Sequence, residues 1–371
     1  MKLCPPDKCT ACGACAAVCP VSCITMKEDA FGAPHPHIGS ACIDCGLCSK
    51  TCPALNPARL KKVSECYAAF NSDNAERRLS ASGGIAALLA RSFAGRVYGT
   101  AWDECFRAVV KAGNAEEFKG SKYVQSRFSK EVYSEIRQRL GNGEKLLFIG
   151  TPCQVAGLLN FTGKAAENLL CADLLCHGVC PETYLAQELA RLRKRRTVTA
   201  VRFRSNDRYN YHLSLWNGEK CLYDKDKPLQ AYLRAFSEGI SLRENCYSCP
   251  YSKPERCGDI TLGDFIGLGG QQSFVAVNSP EGAEAMKLLV SEFPGLVIEE
   301  RPYAERLVYR PSLLEPVKKS PLRERFLGLY PKYGFYRAVR KTLFKGLLQA
   351  NALAFYRKIH HIGHIIKTKF K

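Results

Sequence analysis

Past an opening stretch crowded with cysteines, the chain alternates short apolar runs with amphipathic ones, the rhythm of strands and helices in turn. Tyr67 to Phe70 begins a strand, and Ser80-Ala81-Ser82-Gly83-Gly84 is a turn feeding an alanine- and leucine-rich helix over Ile85 to Phe93. Val97 to Ala101 and Phe106 to Lys111 read as strands. The pattern predicts a helix over Val132 to Leu140, closed by Gly141-Asn142-Gly143, and then a buried strand over Lys145 to Ile149. That strand runs into Gly150-Thr151-Pro152-Cys153-Gln154 and a helix toward Asn160. Leu169 to Leu175 repeats the design, ending in Cys176-His177-Gly178-Val179-Cys180-Pro181 before a long helix over Glu182 to Arg196.

The texture then changes. Val198 to Arg204 and Tyr211 to Trp216 are strand-like, and Asn217-Gly218 is a hairpin turn into Lys220 to Tyr223. Leu229 to Glu238 reads as helix, Ile260 to Leu262 and Phe274 to Val277 as strands, Pro280 to Phe293 as helix and Leu296 to Glu299 as strand. The expected fold class is α+β: a ferredoxin-like two-cluster module over 1–57, an α/β body over 64–310 and a basic helical tail over 318–371. Pro53 and Pro57 mark the end of the first module.

Eight cysteines at the N-terminus change the picture most. Cys9, Cys12, Cys15 and Cys19 precede Pro20, and Cys42, Cys45, Cys48 and Cys52 precede Pro53. Each set reads C-x2-C-x2-C-x3-C-P, the bacterial run that binds a 4Fe-4S cluster and whose fourth cysteine serves the other cluster. Cys52 is therefore expected to complete the first site and Cys19 the second. Gly13 and Gly46 stand where the loop must turn sharply around each cluster. Zinc knuckles or a disulfide framework are the alternatives, but zinc favours ligands in pairs, often mixed with histidine.

Twenty cysteines in 371 residues suit a reduced compartment, and Met1-Lys2-Leu3-Cys4 enters the first motif directly, so a cytoplasmic protein without a signal peptide is expected. The net charge of +19 is concentrated: fourteen Lys and Arg lie from Lys318 to Lys371, opposed only by Glu324. Leu343, Phe344, Leu347, Leu348, Leu353, Phe355, Tyr356, Ile359, Ile362, Ile365 and Ile366 interleave with them at roughly helical spacing. That pattern fits peripheral contact with the inner face of an anionic membrane or with an acidic partner, or else a helix packed on its own body. No nucleic-acid recognition motif accompanies the charge, and no nucleic-acid partner is expected. His360, His361 and His364 read as surface residues.

The body carries a second set of chemical residues. Thr151-Pro152-Cys153-Gln154 and Ser82-Gly83-Gly84 each open a helix, whose unpaired N–H groups suit a phosphate or an electron-rich ring. Gly120-Ser121-Lys122-Tyr123-Val124-Gln125-Ser126 adds a cation, an amide and hydroxyls between elements. Cys153 and Cys176 stand just past strand ends, where ligands gather in open sheets. With the pair Cys246 and Cys249 they could supply four thiolates to a third 4Fe-4S cluster, with Cys180 and Cys257 as spares. Buried inert thiols are the plainer alternative.

At these residues the chain resembles the beta subunits of coenzyme F-420 (deazaflavin) hydrogenases and dehydrogenases. The matching elements are Ser82-Gly83-Gly84, the run Gly120 to Ser126, Gly150 to Gln154, Cys176 to Val179, and Cys246 and Cys249 leading to Asp259-Ile260-Thr261-Leu262-Gly263-Asp264-Phe265. The resemblance implies FAD and an iron-sulfur cluster in the central domain, and an iron-sulfur flavoprotein oxidoreductase exchanging electrons with a partner protein such as a ferredoxin. Its organic substrate would be coenzyme F-420 or another conjugated ring, and some bacterial relatives point to surface-polysaccharide biosynthesis. Where such proteins often carry an aromatic after Gly-Asp-Phe, this chain has Ile266.

On this reading Ser82, Gly83, Gly84, Gln125, Ser126, Thr151, Pro152, Gln154 and Asp264 bind the flavin, with Asp259 an alternative to Asp264. Lys122 binds or polarises the flavin or substrate ring, and His177 is the expected proton donor, since an unperturbed imidazole titrates near neutral pH. An electron-transfer adaptor without a substrate of its own is the competing reading; it would need no flavin-binding body.

Overall fold

The duplicated cysteine runs fold as two short helices, Ala14–Val18 and Leu47–Thr51, joined through a hairpin of β1 (Ile24–Glu28) and β2 (Pro34–Ile38). The computed structural model describes residues 3–204, 211–268, 271–309, 311–344 and 346. Gly13 and Gly46 cap the two helices with φ of 85° and 74°, the left-handed backbone that glycine adopts without steric cost. The hairpin was not legible in the sequence, because Pro34 and Pro36 lack the N–H that a strand ladder uses and argue against a strand there.

The body is a mixed α/β structure built on one large sheet. Its strands are β3 (Glu65–Asn71), β4 (Arg96–Trp102), β5 (Ala108–Ala112), β6 (Leu146–Gly150), β7 (Leu169–Leu174), β11 (Ile260–Asp264), β12 (Ser273–Val277) and β13 (Leu296–Glu300). They lie in the order β13-β3-β12-β11-β7-β6-β4-β5. Strands β4, β6, β7 and β11 are mutually parallel, and β5, β12 and β13 pair antiparallel with their neighbours. A separate antiparallel sheet holds β8 (Ala200–Phe203), β9 (His212–Asn217) and β10 (Lys220–Asp226), turning at Asn217-Gly218 as expected.

Central strands covered on both faces should be apolar throughout, and Leu146, Leu147 and Phe148 of β6 are all fully buried. Leu146 and Phe148 pack with Tyr133, Ile136, Val155 and Leu158 from the helices Lys130–Gly141 and Pro152–Thr162. Leu147 and Ile149 pack on the other face with Leu88, Leu89, Met286 and Leu289 from Ile85–Ser92 and Pro280–Glu292. Each such side chain contributes about 1.5–3 kcal/mol by leaving water. The consequence for function is directional. The carboxyl ends of β6, β7 and β11 point the same way, and the loops after them carry Thr151, Cys176 and Phe265.

Part of the basic tail belongs to this core. The helix Arg323–Thr342, kinked at Gly334, buries Phe326, Phe335, Ala338 and Val339 against Tyr184 and Tyr232. The Tyr184 and Phe335 rings lie 5.1 Å apart. Of the expected membrane-facing run, Leu343 is buried in this core instead and Phe344 is exposed; the rest, Leu347 to Ile366 with His360, His361 and His364, lies outside the described residues. No helix among the described residues is long and apolar enough to cross a membrane.

Candidate functional site

Burial and mutual repulsion sort the N-terminal thiols into two groups. Burial and then Cys12, Cys9 and Cys52 push the Cys15 thiol well above its ordinary value, so Cys52 stands with the first three cysteines. Burial raises Cys12 to about 12. On the other side, Cys23 lies 3.5 Å from Cys19 and close to Cys42. Cys19 is therefore gathered toward the second group, with Cys42, Cys45 and Cys48. The inner group faces the body and the outer one faces solvent, where Cys45 is exposed. Among the described residues, no three His, Cys, Asp or Glu side chains converge as tightly as one metal ion requires. A cubane asks for a wider spread, since its four thiolates bind four different irons.

Two further thiols accompany these groups. Cys4 hydrogen-bonds to Cys52 and, chiefly through that bond, lowers it to about 6. Cys23 stands beside Cys19 in the same relation. Neither follows from the motif spacing.

The body brings its own thiols together. Cys153, at the start of the helix Pro152–Thr162, Cys176, after β7, and Cys246 and Cys249 line one cavity that opens to solvent. Burial and then the neighbouring thiols raise Cys153 and Cys246 to about 12, and Cys176 further. The two spares lie elsewhere. Cys180 is 3.1 Å from the Ser241 hydroxyl, and Cys257 is buried against the Pro152 carbonyl and the Asp173 carboxylate. Gly178 lets the loop after β7 approach the pair: its φ is 126°, and a Cβ there would stand 3.2 Å from that of Cys246.

Gln125, Ser126, Thr151, Pro152, Gln154 and His177 line the same cavity. Thr151 and Gln154 form a capping box at the helix start, and the Gln154 amide donates to Ser126 at 2.9 Å. The Gln125 amide donates to the Thr10 carbonyl at 3.4 Å, while its oxygen is buried without a partner. An acceptor left bare in a cavity wall costs about 1–3 kcal/mol unless something donates to it. This, with four convergent thiols and a helix N-terminus, fits both an iron-sulfur cluster and a ring bearing N–H groups. His177 packs at 5.3 Å from the Phe236 ring.

The remaining expected residues stand apart from the cavity lining. The Ser82 hydroxyl is 2.8 Å from that of Ser273, and the Gly83 N–H donates to the same Ser273 oxygen at 2.9 Å, tying the turn before Gly84 to β12. Asp264, at the end of β11, pairs with Arg204 at 2.7 Å, and Arg204 also donates to the Tyr123 hydroxyl at 3.3 Å. Asp259 pairs with Lys61 and accepts the Cys171 N–H at 2.8 Å, which fixes the β7–β11 seam. Lys122 is buried, donating to the carbonyls of Phe118, Lys119 and Gly120. Burial pulls its ammonium down to about 7, against three carbonyls that favour the charged form.

Sequence reasoning missed Thr10, Asn245, Tyr251 and Arg256, which also line the cavity. Arg256 is buried against Asp173 at 3.0 Å. They belong to no motif in the sequence, and only their place in space marks them.

Residues 143–294 match the family described as the C terminus of the coenzyme F420 hydrogenase/dehydrogenase beta subunit, and residues 8–56 match the 4Fe-4S dicluster domain. The first span holds the four body cysteines, His177 and Asp264; Ser82 to Gly84 and Lys122 to Ser126 precede it. No curated protein matches the chain. A chain of the F420-reducing [NiFe] hydrogenase complex from Methanosarcina barkeri, solved as a xenon derivative, is 16% identical with a TM-score of 0.47. The match covers 77% of this chain and 93% of that one. Residues 143–294 are thus a C-terminal domain of the coenzyme F420 hydrogenase/dehydrogenase beta-subunit type, and residues 8–56 a 4Fe-4S dicluster domain.

Proposed function

We propose that this protein is an iron-sulfur flavoprotein oxidoreductase that exchanges electrons between a partner protein and a conjugated-ring substrate, coenzyme F420 or another. The observation that carries the reading is the meeting of Cys153, Cys176, Cys246 and Cys249 in one cavity with His177, beside the helix opened by Thr151. Those four thiolates would hold a third 4Fe-4S cluster, and Gln125, Ser126, Thr151, Pro152 and Gln154 would bind FAD. Ser82, Gly83, Gly84, Lys122 and Asp264 complete the proposed flavin set. When bound, clusters supply one-electron exchange and a flavin supplies conversion between one- and two-electron chemistry. In that division of labour the chain's residues bind, orient and protonate. The bare Gln125 oxygen accepts from a ring N–H, the helix N-terminus faces negative charge, and His177 donates a proton to the substrate.

The cavity favours this reading over an adaptor without a substrate, which would have no use for an open site behind its cysteines. The reading is tested by His177→Gln in anaerobically prepared protein. Retained iron and flavin with slowed turnover of a ring substrate support it; unchanged turnover removes His177 from the chemistry.

A further inference from the structure

Arg243 is 2% exposed, and its main chain ties it to the body cavity. Its N–H donates to the Val179 carbonyl at 2.9 Å, and its carbonyl accepts from the Cys246 N–H at 3.1 Å. The side chain reaches the N-terminal module instead. Nη2 donates to the carbonyls of Cys9 at 2.9 Å and Pro34 at 3.2 Å, and Nε donates to the Asn245 Oδ1 at 3.3 Å. Among the described residues, Nη1 has no hydrogen-bond partner and no carboxylate bonds this guanidinium.

A buried charge without a counter-charge is expensive, because water no longer solvates it and nothing replaces the lost attraction. Arginine stays protonated under all ordinary conditions, so the charge cannot be shed. The groups positioned to balance it are the thiols on either side. The guanidinium touches the surroundings of both: Nη2 bonds the Cys9 carbonyl in the inner N-terminal group, and Nε bonds Asn245, which lines the body cavity next to Cys246.

We propose that Arg243 is a counter-ion shared by two 4Fe-4S sites, the inner N-terminal one of Cys9, Cys12, Cys15 and Cys52 and the body one of Cys153, Cys176, Cys246 and Cys249. This rests on the third-cluster reading above. The role is that of a positioning residue: one cation stands at the module seam, bonded to the Cys9 carbonyl on one side and to Asn245, next to Cys246, on the other. It also lowers the energy of the more negative, reduced state at each, because net charge and hydrogen bonding set cluster potentials. The exchange it serves is a single electron, one site oxidised as the other is reduced, with no bond broken and no proton moved. The hydrogen-bond partners of Arg243 include the main chains of Cys9 and Cys246 and, among the described residues, none of Cys19, Cys42, Cys45 and Cys48, so the outer site serves as the control.

The test compares the anaerobically prepared full chain with Arg243→Gln and Arg243→Lys, measuring iron, acid-labile sulfide and the potential of each cluster by redox titration followed by electron paramagnetic resonance. Arg243→Gln is expected to hold the same iron while reduction of the inner and body clusters becomes about tenfold less favourable, a fall of about 59 mV for one electron. The outer cluster stays put, and Arg243→Lys recovers most of the difference. No shift, or an equal shift at all three clusters, overturns the proposal. If Arg243→Gln fails to load, Arg243→Lys decides: normal iron and potentials support a role for charge, and the same failure in both variants overturns it. About eight irons in the unchanged protein would instead overturn the third site itself, a result distinct from twelve irons without a shift.

Discussion

Tyr133 donates its phenolic hydrogen bond to the Cys12 carbonyl at 3.0 Å, joining the helix Lys130–Gly141 to the first cysteine loop. Asn160 reinforces this seam with bonds to the Thr51 and Asn56 carbonyls, and Tyr251 with one to Pro53 at 2.9 Å. The inner cysteine group is thus held by the body rather than by its own small module.

Tyr133→Phe should cost about 0.5–1.5 kcal/mol, the usual net worth of such a bond, and leave iron content unchanged in thermal denaturation of the loaded protein. Gly157→Val is harsher. A Cβ at Gly157 would stand 2.9 Å from the Cys12 sulfur, so the inner cluster loop must move and about four irons should be lost. Full iron in Gly157→Val would mean that the seam yields freely.

Cys249→Ser should lower iron from about twelve to about eight per chain, and Cys153→Ser likewise. Cys180→Ser and Cys257→Ser should leave it unchanged, since those thiols lie against Ser241 and Asp173 instead of the cavity. Iron analysis of the four variants separates ligands from spares.

Much of this arrangement was legible in the sequence. Strand β6 is a continuous apolar run and β7 one interrupted only by Asp173, and the loops behind them carry Cys153 and Cys176, because open sheets expose the loops beyond the carboxyl ends of their strands. The spacing of Cys246 and Cys249 announced a ligand pair, but which distant thiols join it depends on strand order, which local pattern does not encode. Arg243 was invisible for a related reason. Its neighbours are Cys9 and Pro34, more than two hundred residues away in the chain. The helix Arg323–Thr342 fitted both an interfacial helix and one packed on the body, because its charges are interleaved with apolar residues; Phe326 and Phe335 are among the most deeply buried rings.

Phe335→Ala should therefore destabilise the protein by about 3–5 kcal/mol, the cost of emptying a well-packed aromatic site. Chemical denaturation followed by aromatic fluorescence measures it. A loss below about 1 kcal/mol would mean that the helix is an appendage rather than core.

Lys122 should leave a signature in the pH dependence of stability. Its pKa is about 7 in the folded chain against an ordinary 10.5, so between those values the unfolded chain holds the extra proton. Stability gains from this group as pH rises through that window, is complete above it, and is lost as pH falls toward 7. Lys122→Met should remove that rise. Denaturation midpoints of both proteins at several pH values show it as a difference; parallel curves would mean that the three carbonyls keep the ammonium charged throughout.

An iron-sulfur flavoprotein with three cubane sites carries its metal and its flavin in fixed proportion. Joint determination of iron, acid-labile sulfide and released flavin in the anaerobically purified protein reads that proportion. About twelve irons, as many sulfides and one FAD per chain are expected. About eight irons without flavin would contradict the three-cubane flavoprotein and leave a two-cluster electron carrier in its place.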